Sequence, residues 1–254
     1  MKNKEIKSTA LIFILFFPLV IGCPELKAYP FQMGEKLIYT VKLSLFTVGK
    51  QILEVKDIVK INGYFAYHLF WRVKTLGWTD LLFALDERRE SFIDIDTLYP
   101  HKITIYYEER GNLRKDWIVE IDQESGVALI RNKENEQEKT RLFSSPIFDI
   151  LSLIYWLRTQ EMEVGQIFSL FLLEDSHLET YDEKIGRKVR IKVVKKEEVR
   201  IHNLTYLTFL CSEVGSDKIK VWFSVDEGHL PIKIEIGTDL GALTAYLTKI
   251  EYSQ

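Results

Sequence analysis

Beyond residue 32, apolar side chains return at every second position. Leu37, Tyr39, Val41, Leu43 and Leu45 alternate with Lys36, Thr40, Lys42 and Ser44, and Ile38 alone breaks the polar side. Ile103, Ile105 and Tyr107 repeat the period, as do Trp117, Val119 and Ile121 against Asp116 and Glu120. Val189 to Val193, Ile219 to Val225 and Leu230 to Ile236 follow the same rule. Successive strand side chains point to opposite faces, so each stretch has one dry and one wet face. That is the pattern of antiparallel sheet, not of parallel sheet covered on both sides. Turn signals punctuate the runs. Asn62-Gly63 is a two-residue hairpin signal because both residues tolerate positive φ. Gly111-Asn112, Ser125-Gly126, Gly215-Ser216-Asp217 and Glu227-Gly228 mark further turns. About eleven to thirteen strands fit.

One segment departs from period two. Ile150, Leu153, Ile154 and Leu157 share one helical face, and Leu151, Tyr155 and Trp156 make the helix apolar nearly all round. Asp149 is a suitable N-cap, Phe148 can staple against Leu153, and Arg158 places a cation near the C-terminal end. A helix apolar on all sides must be covered, and the concave face of a curved sheet is the natural cover. The expected fold is mainly β: a single antiparallel, strongly curved sheet or open barrel with one inner helix near residues 149–158. The polar stretch Asn132 to Thr140 reads as a connection inside one β domain spanning residues 33–254.

The first residues carry an address. Lys2, Lys4 and Lys7 precede an apolar run from Ala10 to Ile21, closed by Gly22-Cys23. The run is too short to span a bilayer, which needs roughly twenty apolar residues. It fits an export signal. Two processing readings stand. Residues 1–22 are a lipoprotein-type signal peptide with Cys23 as the lipidated residue, or residues 1–28 are removed by an ordinary signal peptidase. Residues 23–32 form a linker. Pro24 after Cys23 lacks the Asp of inner-membrane retention. The expected location is therefore the periplasm, lipid-anchored to the outer membrane. Cys211 is the one other cysteine and reads as a small buried apolar residue, so the chain is not a disulfide scaffold.

Candidate chemistry is sparse. The formal net charge is −3, and residues 1–22 carry three Lys and one Glu, so their removal makes the chain more acidic. That balance argues against nucleic acid as a partner. The five histidines are widely spaced, and no metal or cofactor is expected. There is no Gly-x-Ser-x-Gly, His-Glu-x-x-His or Gly-rich phosphate loop. The paired acids Asp94/Asp96, Asp182/Glu183 and Asp226/Glu227 read as turn-flanking residues, and Lys192 to Arg200 as the wet face and tip of a hairpin. The segment 76–85 is more apolar, with Leu76, Trp78, Leu81, Leu82, Phe83 and Leu85 after the bend at Gly77. It is either a core strand or an apolar lip over a ligand cavity. Trp78, Leu81, Leu82, Phe83 and Tyr155 are the candidate ligand contacts.

Gly34-Glu35-Lys36-Leu37-Ile38-Tyr39 followed by Val48-Gly49, Leu98-Tyr99-Pro100, Phe148-Asp149-Ile150-Leu151-Ser152 with Leu157-Arg158 and Gly165, Phe223-Ser224-Val225-Asp226 and Leu230-Pro231-Ile232-Lys233-Ile234 occur in order. In order and spacing the chain resembles the bacterial exported family known as domain of unknown function 3108, over about residues 31 to 252. One departure is Ile150, where that family often has Pro. The resemblance brings no catalytic residue.

A curved sheet either fills its concavity with side chains or holds a ligand there. Two functions follow from different classes. One is a non-enzymatic envelope protein binding an apolar ligand or lipid in the concave face. The other is a structural or adaptor protein that meets an envelope partner through a sheet edge or the 76–85 segment. An uncharacterised enzyme is the third and least supported.

Overall fold

A computed structural model describes residues 29–77, 79–80, 84–179, 182–216, 218–238 and 241–252. The strands are β1 (Glu35–Leu43), β2 (Phe46–Ile61), β3 (Tyr64–Thr75), β4 (Leu85–Asp94), β5 (Pro100–Glu109), β6 (Asn112–Asp122), β7 (Val127–Asn132) and β8 (Glu138–Phe143). They continue as β9 (Ile147–Phe148), β10 (Ile167–Leu172), β11 (Lys184–Ile185), β12 (Arg187–Ile201), β13 (Leu204–Glu213), β14 (Ile219–Ser224), β15 (Pro231–Thr238) and β16 (Gly241–Tyr252). Between them, among the described residues, lie the helices α1 (Ile150–Arg158) and α2 (Asp175–Glu179).

All sixteen strands join one unclosed sheet in the order β11-β8-β7-β6-β5-β4-β3-β2-β1-β16-β15-β14-β13-β12-β10-β9. Two wings thus spread from the central β1–β16 pair. The alternation holds where it was strongest: Leu37 and Tyr39 are fully buried and Val41 nearly so, while Lys36, Ile38 and Thr40 are half-exposed. The strand count exceeds the sequence-based one, partly because β9 and β11 have two residues each, too short for any period to register. These two also supply parallel pairings, β9 with β10 and β11 with β8, in a sheet expected to be antiparallel throughout.

The short strands lie at the sheet ends and cross them. β8 leads into β9, which pairs with the far wing, and β11 pairs with β8 before leading into β12. The Gln123 amide caps the free side of β9: its Nε2 donates to the Ile147 carbonyl at 2.9 Å, and the Ile147 N–H donates to its Oε1 at 3.1 Å. A side chain here takes the place of a neighbouring strand.

Curvature comes from register shifts. The β1/β16, β1/β2, β2/β3 and β12/β13 ladders each carry one, at Ile38/Tyr39, Val41/Lys42, Val55/Ile58 and Val193/Lys195. An extra residue on one strand bends it and increases its twist. Pro231 sits at a further shift, opposite Phe223, as a residue without an N–H requires. Asn62 and Gly63 form the foreseen turn, with φ of 51° and 95°. The next turn is offset by one residue: Arg110 and Gly111 take positive φ, and Asn112 already begins β6.

Helix α1 fills the concavity. Asp149 caps it as expected, accepting from the Ser152 and Leu151 N–H groups at 3.1 and 3.3 Å. Ser152 returns the bond, its Oγ accepting from the Asp149 N–H at 2.9 Å. Leu151, Leu153, Ile154, Tyr155 and Leu157 are all buried, so the helix is covered nearly all round. Each of the large aliphatic side chains contributes roughly 1.5–3 kcal/mol by burial. A second, smaller core lies between β5–β8 and Leu173, Leu178 of α2 and Ile185 of β11. Helix α2 has five residues, too few for a helical period to be read from sequence.

Candidate functional site

The hairpin turns sort the barrel into two ends. At one end, the α1 C-terminus meets residues 29–35 and is sealed. Arg158 donates to both Glu35 oxygens at 2.5 and 3.0 Å, to the Pro30 carbonyl at 2.8 Å and to the Gly228 carbonyl at 3.2 Å. Phe31 packs edge-on against Tyr155, with ring centres 5.0 Å apart. Arg158 is therefore more than the cation at a helix end that its sequence position suggested. It ties the helix to the first strand.

At the opposite end the α1 N-terminus lies below an open mouth. Two adjoining cavities of about 200 and 270 Å³ lie between the helix and the surrounding strands. They share Gln51, Trp71, Glu87, Ile234 and Ile236 as lining residues. Val41, Val48, Val73, Leu243 and Ala245 extend the outer one, and Ile150, Leu151, Ile154 and Leu172 extend the inner one. A third space of about 40 Å³ continues past Ile154 towards Val189 and Cys211. Aliphatic side chains dominate this cleft. Gly49 is required at its wall, because a Cβ there would come within 2.5 Å of the Lys74 carbonyl oxygen.

Arg89, Glu87 and Asp175 on the cleft wall are paired with one another. Arg89 donates to Glu87 at 2.6 and 2.8 Å and to Asp175 at 2.6 and 2.7 Å, and it stacks over Trp71 at 5.6 Å. Lys115 reaches Asp175 at 3.3 Å. Burial alone would raise the Asp175 carboxyl, but Arg89 and Lys115 outweigh it and hold the group below its ordinary range. This network pins α2 beside the mouth. A carboxylate depressed in the folded state contributes stability above its unfolded pKa, about 3.9. That contribution is lost as pH falls from there through the folded value. Asp175→Asn is expected to flatten the decline of unfolding free energy below about pH 4. Denaturant melts at pH 3 and pH 6 check this; equal slopes in variant and parent would contradict it.

The sequence-derived candidates distribute as follows. Tyr155 is buried, but it faces Phe31 and Arg158 at the sealed end and does not line the cleft. Cys23, Trp78, Leu81, Leu82 and Phe83 lie outside the described residues. Two described neighbours lie at the mouth: Leu85 lines the outer cavity, and the buried Thr79 hydroxyl donates to the Val48 carbonyl at 2.7 Å. Cys211 is buried as expected, its thiol pushed up to about 12 by burial, 4.0 Å from the Met162 sulfur. Among the described residues no group of three His, Cys, Asp or Glu is placed to hold a metal ion.

Gln51, Glu87 and Arg89 were missed. Their signal is present in hindsight as polar residues at inward positions. Gln51 is in phase with Leu53 and Val55, and Glu87 and Arg89 are in phase with the fully buried Ser91 and Ile93.

No curated protein sequence matches the chain. A crystal structure described as a beta-barrel-like protein of domain of unknown function DUF1849, from Brucella abortus, is similar in fold. The TM-score is 0.53 at 11% identity, over 87% of this chain and 98% of that one. The family model described as protein of unknown function (DUF3108) matches residues 38–248, and the chain belongs to that family.

Proposed function

We propose that this protein holds an apolar ligand, such as a lipid chain, in the cleft between α1 and the inner sheet face, and catalyses no reaction. The observation that carries this is the cleft itself: adjoining spaces of about 200 and 270 Å³ with mainly aliphatic walls. Ligand sites are concave, largely apolar and supplied with few polar groups. Access is apolar as well. Leu45 and Phe46, at the β1–β2 turn on the same end, are 88% and 64% exposed.

The proposal places the protein in the cell envelope, exported through residues 1–22 and anchored to the outer membrane by a lipid on Cys23. The charged start, short apolar run and Gly22-Cys23 support this. Phe31 and Glu35 are fixed at the sealed end, so the chain leading from Cys23 meets the barrel there. An anchored molecule then presents its mouth away from the attachment point.

The test is binding of the fluorescent probe N-phenylnaphthylamine to the purified full chain. Wild type is expected to bind it saturably. Ala245→Phe, which places a ring in the outer cavity, is expected to weaken binding by about tenfold, or roughly 1.4 kcal/mol. Its unfolding midpoint should stay close to that of wild type. A wild type that binds no probe would defeat the proposal and leave a structural or adaptor role through the outer surface.

A further inference from the structure

Gln51 is out of place among its neighbours. On the inner face of β2 it is followed by Leu53 and Val55, both fully buried, and it is itself only 6% exposed. It faces both cavities of the cleft. Among the described residues, no hydrogen bond engages its side-chain amide. Its register neighbours are Tyr39 on β1 and Val73 on β3. The Tyr39 hydroxyl is already committed, donating to the Pro231 carbonyl at 2.9 Å. Glu87, Arg89 and Asp175 are occupied with one another. The cleft therefore has an uncommitted amide at its floor, below walls of Val41, Val73, Ile234 and Leu243.

The amide is not sealed in packed protein but borders the open space of the cleft, where a bound molecule can reach it; polar groups this far from bulk solvent are mostly paired in folded proteins. An apolar residue would serve packing better at this position. The amide offers one carbonyl acceptor and two N–H donors and carries no charge. Resting on the ligand-binding proposal above, we infer that the cleft takes a neutral amphiphile, and that Gln51 hydrogen-bonds its polar group. The ligand is an aliphatic chain bearing an alcohol, ester or amide. That group enters first and lies at Gln51, and the chain runs out past Val48 and Ile236 towards the mouth. An anionic head fits poorly, because Arg89 is already held by Glu87 and Asp175 and the head would be desolvated at Gln51 without a counter-charge of its own.

The experiment is displacement of N-phenylnaphthylamine from the full chain by lauryl alcohol, lauryl chloride and laurate. The alcohol and chloride share a chain and differ in hydrogen-bonding ability. Comparing their ratio between wild type and Gln51→Leu cancels their different solubilities. Wild type is expected to favour the alcohol over the chloride by about three- to tenfold more than Gln51→Leu does. Laurate is expected to displace the probe more weakly than the alcohol from wild type. Gln51→Leu removes a buried polar group without adding bulk, and each displacement ratio is taken against that protein's own probe affinity. An alcohol-to-chloride ratio unchanged by Gln51→Leu, with the probe still bound, overturns the role of Gln51 but not the ligand cleft. Laurate displacing best would overturn the neutral-ligand class. Absence of probe binding to wild type overturns both proposals together.

Discussion

Glu35→Ala is expected to destabilise the protein by about 3–5 kcal/mol, the usual cost of leaving a buried charge without its partner. The Arg158 side chain is 0% exposed and that of Glu35 3%. The pair is bidentate, and the guanidinium lies beside the rings of Phe31 and Tyr155, 5.5 and 5.3 Å away. Burial works against the Arg158 cation, but Glu35 overcomes it and raises its affinity for the proton. Without Glu35 the charge retains only the Pro30 and Gly228 carbonyls. Replacing both partners by Met removes the charge with its counter-charge and is expected to recover most of the loss. Denaturant unfolding of the two single variants and the double variant measures this. A single-variant loss below about 1 kcal/mol would mean that the pair behaves like a solvated surface bridge.

Asp149→Ala is the second large effect, expected at about 2–3 kcal/mol. Loss of an N-cap alone costs about 1 kcal/mol. Here the carboxylate also accepts from the Ser91 hydroxyl at 3.0 Å, and Ser91 is fully buried. Removing it strands that hydroxyl as well as the helix N–H groups, and an unsatisfied buried donor costs about 1–3 kcal/mol. Asp149→Asn keeps a capping oxygen and is expected to lose much less. Because Ile150, Leu151 and Ile154 line the inner cavity, Asp149→Ala should also weaken N-phenylnaphthylamine binding. Thermal melts and probe titration on the same samples read both effects. Probe affinity unchanged in a destabilised variant would separate the helix cap from the cleft.

Both variants test long-range ties, and these mark the limit of what the chain reveals locally. Period two exposed β1, β5, β6, β14 and β15 because three or more successive apolar side chains run along one face of each. It did not expose β4. That strand turns Glu87, Arg89 and Ser91 inward, where Arg89 binds Glu87 and Asp175 and Ser91 binds Asp149. A strand whose inner face is polar has no hydrophobic period to read. Helix α1 was legible because its cap and its apolar circumference are both local. Its setting inside the curved sheet followed from the need to cover that circumference.

The amino-acid sequence alone determined the strand-rich fold, the helix after Asp149 and where it begins, and the family to which the chain belongs. These depend on neighbours a few residues apart. Only the tertiary structure decided that the sheet stays open, that one end is sealed and that the other holds a cleft. Arg158 and Glu35 lie 123 positions apart, and the cavity walls come from strands at both termini. Register shifts accumulated over many ladders set the curvature that brings them together, and no local pattern encodes that sum.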